Sequence, residues 1–226
     1  MTDERTYDRD ADRLALLEAT LSHAAFDGWS QKAFDAGAKD AGIPADHALN
    51  AFPGGLAELL AFYHQTEDGK MLEAMAHANV SEMRVRDRIA FAVKTRLQRN
   101  IRHREAIKSA CSFLAMPHNA GLAVRLLYRT VDAMWYGAGD TATDFNFYTK
   151  RALLAGVYSA TVLYWLNDKS ALSADTWSFL DRRIDEVMQV PKLLGRVSAV
   201  TSRFPNPFRV VQRLRPRGFR ARTARS

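Results

Sequence analysis

Six histidines, 25 carboxylates and one cysteine are the groups in this 226-residue chain that could do metal, acid–base or nucleophilic chemistry. A carboxylate di-iron bundle needs Glu-x-x-His on two helices, so that both ligands project from one face. The nearest approach is Glu73-Ala74-Met75-Ala76-His77, which is one residue too long. No His-Glu-x-x-His, phosphate-cradling glycine loop or Gly-x-Ser-x-Gly elbow is present. His118 falls in Pro117-His118-Asn119, where a turn or cap role is simplest, and His103 between Arg102 and Arg104 reads as part of a solvated face. Asp140 and Asp144 stand four apart, the spacing of an acid/base pair on one helix face. Thr143 and Asp144, however, open a predicted helix, where both are ordinary capping residues. The lone Cys111 excludes an internal disulfide and a cysteine zinc cluster, and fits a reducing compartment. We expect no catalytic residue, no metal and no cofactor.

The elements that must position these residues all read as helices. Leu14, Leu17, Leu21 and Ala24 recur at helical spacing and predict a first helix over about 10–25. Ser30 is an N-cap candidate for a second helix that Gly42 stops, and Pro44 opens a short third helix toward Phe52. Pro53-Gly54-Gly55 breaks the chain, and Leu56, Leu59, Leu60 and Tyr63 begin a fourth helix. Further helices are predicted over 67–79, 83–100, 103–115, 120–136, 143–167, 173–189 and 191–204, with Gly69 among the breaks. No strand alternation or internal repeat appears. The longest apolar run, Ala152 to Leu166, is short of the roughly 20 residues a spanning helix needs and reads as a buried core helix.

Three short helices with Gly42-Ile43-Pro44 between the second and third resemble the helix-turn-helix domain of TetR-type regulators. Charge opposes the function that this shape implies. The first 52 residues hold ten acids against five bases, and the candidate recognition helix, Pro44 to Phe52, is acidic or small where Lys, Arg, Asn or Gln should reach base edges. Counterion release would work against such a complex. The net charge of +7 arises in residues 187–226, which carry ten Lys and Arg and no acid. We expect no nucleic-acid partner; a TetR-type regulator with a lipid effector is the alternative reading.

Without catalytic groups, an all-helical core can still hold a ligand between its helices. Met71, Met75, Phe91, Phe113, Leu114, Met116, Leu126, Leu154 and Tyr158 can line an apolar cavity, the methionines adapting to a flexible lipid chain. The same residues make an ordinary packed core, which sequence alone favours. Met134-Trp135-Tyr136 and Phe145-Asn146-Phe147-Tyr148 flank Gly137-Ala138-Gly139-Asp140, a dense aromatic patch beside one charge. That composition suits an interface anchor or a core corner equally.

From Val131 to Tyr158, Asp132, Met134, Trp135, Ala138-Gly139-Asp140, Thr143-Asp144-Phe145-Asn146, Tyr148-Thr149 and Arg151 resemble the ubiquinone-biosynthesis accessory family that is ninth in the Coq series. Met116 to Asn119 upstream, and Asp168, Ser170, Asp175-Thr176-Trp177 and Phe179-Leu180 downstream, extend the similarity through most of 60–189. The resemblance implies a TetR-like all-α fold, a bound isoprenoid quinone precursor, a homodimer, and assistance to the di-iron demethoxyubiquinone hydroxylase. It places the hydroxylase contact on Met134, Asp144, Phe147 and Tyr148, with Trp135 adjacent. Phe147 stands where the family has tryptophan, which keeps an aromatic anchor and drops an indole donor.

The basic tail has its own pattern. Leu193, Val197, Val200 and Phe204 share one face of a helical wheel with Leu194 on its edge, while Lys192, Arg196 and Arg203 gather on a flank. Pro191 suits a helix start and Pro205 a stop, so a self-contained amphipathic helix on an anionic membrane surface is expected. The resemblance agrees, since the family carries such a helix. Three regions follow: a degenerate helix-turn-helix unit over 1–55, a lipid-binding and dimerisation domain over 56–190, and the membrane helix and tail over 191–226. Met1-Thr2-Asp3-Glu4-Arg5 is too acidic for a transit peptide, so a bacterial or trimmed chain on the cytoplasmic face of a bacterial inner membrane is expected.

Overall fold

Asp8 starts the first helix by accepting the backbone N–H groups of Asp10 and Ala11 at 3.2 Å each, and α1 (Arg9–Asp27) runs until Gly28 turns the chain at φ 73°. These and all following features belong to a computed structural model that describes residues 8–140 and 145–201, with side chains for 8–140 and 147–188. Ser30 caps α2 (Gln31–Asp40) through the N–H of Ala33, as its position predicts, and α3 (Ala45–Ala51) follows the Gly42 turn. Leu14, expected on the buried stripe of α1, is 48% exposed, and Leu16 beside it is fully buried instead. Leu17, Leu21 and Ala24 are buried as expected, and the buried face extends to Leu16 and Thr20 because α1 packs against α2, α3 and α6 (Arg104–Leu114) together.

Gly69 does not break the chain. α4 (Gly55–His77) runs straight through it, since one interior glycine costs only about 1 kcal/mol, and burial of Leu59, Leu60, Tyr63, Met71 and Met75 offsets that. Then come α5 (Val85–Arg99), α6 (Arg104–Leu114), α7 (Ala120–Gly137), α8 (Phe145–Asn167) and α9 (Ala174–Thr201), joined by single 3-10 turns at several corners. No strand occurs among the described residues. α4 packs on α5 and α7, and α8 on α7 and α5. The fold is an all-α, TetR-like bundle.

The chain divides into two compact units, residues 1–184 and 185–226. Within the first, the helices of 1–55 share one apolar cluster with Leu59, Leu60 and Tyr63 of α4 and Ala106 and Ala110 of α6. In the second, the backbone is helical through Pro191, where sequence predicted a new start. Val187, Val190, Leu194 and Val197 keep one helical register across the proline, so no apolar face is lost by continuing. Lys192, Leu193, Leu194, Arg196, Val197 and Val200 lie on this helix with side chains outside the described set, and Arg203 and Phe204 lie outside the described residues altogether.

Candidate functional site

α5 carries an arginine on its buried face. Ile89, Ala92, Val93, Arg96 and Leu97 follow the i, i+3, i+4 spacing of an inward stripe, and Arg96 is only 4% exposed. α4 answers with Tyr63, Glu67 and Asp68 among its buried residues, and α8 with Tyr158. The Arg96 guanidinium pairs with Asp68 at 2.8 Å, donates from Nε to the Tyr158 hydroxyl at 3.0 Å, and donates from Nη2 to His64 Nδ1 at 3.2 Å. Thr130 of α7 donates to the second Asp68 oxygen at 3.1 Å. Asn100, just past α5, accepts from the Tyr63 hydroxyl at 2.6 Å and donates to Glu67 at 2.6 Å, and Lys70 pairs with Glu67 at 2.8 Å. Four helices are thereby tied together through polar groups in the core.

Burial sets the electrostatics. It lowers the His64 pKa to about 3, with Arg96 and Arg129 pushing the same way, so the ring is neutral and Nδ1 is free to accept from Arg96. Burial raises Asp68 as well, against the pull of Arg96. For Arg96 burial disfavours the charge, but Tyr158 and Asp68 outweigh it and hold the guanidinium cationic. Burial pushes the Tyr158 hydroxyl and the Cys111 thiol upward, which keeps both protonated at neutral pH.

Beside this network lies a cavity of about 220 Å³. Its polar end is the hydrogen-bonded set Tyr63, His64, Arg96, Asn100 and Tyr158, Ser159 lines it too, and its walls are apolar, from Leu97, Ile107, Leu114, Leu126, Leu127 and Val162 among others. Cys111 also faces it. Of the nine residues expected to line a lipid cavity, Leu114, Leu126 and Tyr158 do so. Met71, Met75 and Leu154 are buried but elsewhere, Met75 lying under Gly137 where α4 and α7 approach. Phe113 packs on the N-terminal cluster, Phe91 is half-buried away from the cavity, and Met116 is 47% exposed at the end of α6. Apolar type alone does not tell a cavity wall from a core. The polar end escaped sequence reading entirely, although charges on the inward stripes of α4 and α5 mark it.

The aromatic patch is split by burial. Met134 is fully buried and cannot form part of a surface contact; α7 turns it inward with Val131. Trp135 is largely buried, donates its indole N–H to the Lys150 carbonyl at 3.2 Å, and has the Lys150 ammonium 5.5 Å from its ring. Phe147 is half-buried under the Arg151 guanidinium, edge-on to Tyr148, whose ring is 67% exposed. Asp144 lies outside the described residues. The intervening turn is held by Gly139 at φ 80° and by Asp140, which pairs with Lys150 at 2.7 Å and Arg151 at 3.3 Å; Arg151 also pairs with Asp132. Among the described side chains of the patch, Tyr136 at 74% and Tyr148 are exposed, and Phe147 shows an edge to solvent. Among the described residues no group of side chains could hold a metal, and no helix is long and apolar enough to cross a membrane.

Known proteins can be set beside this geometry. The family model described as COQ9 matches residues 120–191. The ubiquinone biosynthesis protein COQ9 of Drosophila melanogaster is 32% identical over 204 residues, covering 88% of this chain and 62% of that protein. The human protein of the same name is 35% identical, covering 77% of this chain and 57% of its own length. The chain thus spans about three fifths of the curated relatives it matches. Both relatives are named mitochondrial, which overturns the expectation of a bacterial inner membrane. Among solved structures, a TetR transcriptional regulator from Nitrosomonas europaea aligns with a TM-score of 0.64 at 22% identity, over 79% of this chain and 99% of that one, a likeness of fold alone. Sequence kinship in the segment that holds the Gly139–Asp140 turn and Tyr148, on a TetR-like bundle, establishes that the chain belongs to the COQ9 family.

Proposed function

We propose that this chain serves ubiquinone biosynthesis as a non-catalytic accessory protein: it takes an isoprenoid quinone precursor from an anionic membrane surface and presents it to the di-iron demethoxyubiquinone hydroxylase. The observation that carries the reading is the cavity, apolar along its walls and polar at one end, in a member of a family whose relatives are named for that pathway. A prenyl chain matches the walls and an oxygenated ring the polar end. Tyr148 and Phe147 form the docking edge, the basic helix beginning near Lys192 engages the membrane, and the protein works as a homodimer. The regulator alternative has the shared fold in its favour. Against it stand the exposed Ala45, Asp46, Leu49 and Asn50 of α3, and a chain without Lys or Arg between Asp40 and Lys70.

The test is mass spectrometry of lipid extracted from protein purified without detergent. A prenylated quinone or phenol at near-stoichiometric amount is expected, and protein free of prenyl lipid overturns the reading. Removing residues 190–226 is expected to abolish sedimentation with anionic liposomes; unchanged sedimentation removes the membrane role.

A further inference from the structure

The Tyr158 hydroxyl is half used. It accepts the Arg96 Nε–H at 3.0 Å, and among the described residues Arg96 is its only hydrogen-bond partner. Its own O–H therefore has no acceptor among the described residues, although the residue is 8% exposed and lines the cavity. A buried phenol normally finds an acceptor as well as a donor, because an unmade hydrogen bond in a dry site is costly. Ser159, the next residue on α8, also lines the cavity, and its hydroxyl has no hydrogen-bond partner among the described residues. The donation from a cationic guanidinium polarises the phenol and makes it a stronger donor.

Charge at this end is already balanced. Arg96 is the one cation among the lining residues, and Asp68 compensates it at 2.8 Å. Glu67, behind it, is compensated by Lys70 at 2.8 Å. A carboxylate or phosphate brought here would find Arg96 already paired with Asp68, and Arg129, which acts on His64 and Asp68 through space, outside the lining, and it would lose its hydration. A neutral oxygen would find a donor and lose little. We infer that Tyr158, held by Arg96, is the anchoring donor for one ring oxygen of a neutral quinone or phenol, whose chain lies along the Leu114, Leu126 and Val162 wall. Tyr158 binds, and Arg96 acts through it as a positioning residue. The inference rests on the proposal that the cavity takes a prenyl lipid, and it fixes which way round that lipid sits and what head group is accepted.

Cys111 supplies the readout, since it is the chain's single cysteine and faces the same cavity. Three probes of equal chain length are titrated against the rate of Cys111 alkylation in the full chain: a fully ring-substituted prenyl benzoquinone, which has no open ring carbon for the thiol to attack, the corresponding prenyl benzene, and a prenyl carboxylate. The quinone is expected to protect at about 3- to 10-fold lower concentration than the prenyl benzene, the range of one neutral hydrogen bond. Tyr158→Phe is expected to raise the quinone concentration needed by the same factor and to leave the prenyl benzene unchanged. Equal loss for both probes in the variant means a structural role and overturns the inference, as does a carboxylate that binds best. Should Tyr158→Phe not fold, quinone and prenyl benzene binding equally to the wild type overturns the inference alone. Protection by none of the three overturns the lipid-cavity reading with it.

Discussion

Phe52 and Arg96 stand at the centres of two regions built in opposite ways. Phe52 is fully buried, edge-on to Phe34 and tilted against Phe62, with the Arg13 guanidinium 4.5 Å over the Phe52 and Phe62 rings at the rim. Side chains of this kind slide until the gaps between them vanish, and the cluster closes. Around Arg96 the polar group is at the centre. Hydrogen bonds have narrow distances and angles, so α4, α5, α7 and α8 are held at separations set by Asp68, His64, Thr130 and Tyr158. The helices cannot collapse further, and space remains beside the network. A polar network in this core therefore acts as a spacer as much as a bond.

The strongest way to break that comparison is to remove each centre. Phe52→Ala is expected to cost about 3–5 kcal/mol through the cavity it leaves, and Arg96→Ala a similar amount because Asp68 is left buried and unpaired. The two then part. Arg96→Met combined with Asp68→Leu is expected to recover most of the stability by urea melts while losing lipid protection of Cys111. Retained protection in that double variant would show that the network does not hold the space open. Phe52→Ala, melted or not at higher temperature, is expected to keep the protection under conditions where it is folded.

A smaller effect probes tightness in the closed region. A Cβ on Gly37 would lie 2.4 Å from Thr20 Oγ1 and 2.8 Å from the Thr20 backbone nitrogen, so α1 and α2 touch there with only hydrogen between them. Gly37→Ala is expected to destabilise by about 1–3 kcal/mol. On α8, whose Gly156 has open space where a Cβ would go, Gly156→Ala is expected to stabilise by about 0.4–1 kcal/mol. Equal effects at the two sites would contradict the difference in packing.

Much of the closed region was legible because its signals are local. Ser30 as a cap and Gly42 as a stop depend on neighbours a few residues away. The cavity was not, since its wall is assembled from five helices and apolar type is shared by wall and core: Met71 and Met75 read like Leu114 and Leu126 but sit in solid packing. The polar end left a trace, with Glu67, Asp68 and Arg96 on stripes that are otherwise apolar, yet a charged residue at such a position is equally often a helix edge. Pairing them required tertiary structure. In the aromatic patch, periodicity could not tell that Met134 is buried while Tyr148 is exposed, because the two lie on different helices, α7 and α8.

Protonation tests the polar centre more gently. His64 takes its proton near pH 3 in the fold and near about 6.5 when unfolded, so between those values the unfolded state binds more protons and stability falls as pH drops. Asp68, raised by burial, contributes with the opposite sign. His64→Gln keeps an acceptor for Arg96 and removes the titration. The fall in Tm from pH 7 to pH 5 is expected to be smaller in this variant than in the wild type, and an identical fall would place His64 outside the acid response.

The smallest expected change in stability concerns a residue that belongs to neither centre. Tyr148 is 67% exposed and contributes an edge contact to Phe147, so Tyr148→Ala is expected to shift stability by no more than about 0.5 kcal/mol. On the proposed docking edge its loss is nevertheless expected to weaken hydroxylase capture by about 30-fold, the scale of an interface hot spot. Met134→Ala gives the reverse pattern, a loss of about 2–5 kcal/mol from a fully buried site, with capture reduced only as the folded fraction falls. The pair separates docking from packing within one turn of the chain. Normal capture by Tyr148→Ala would move the docking surface away from this edge, whereas a loss confined to Tyr148 would fix it on the exposed face of α8.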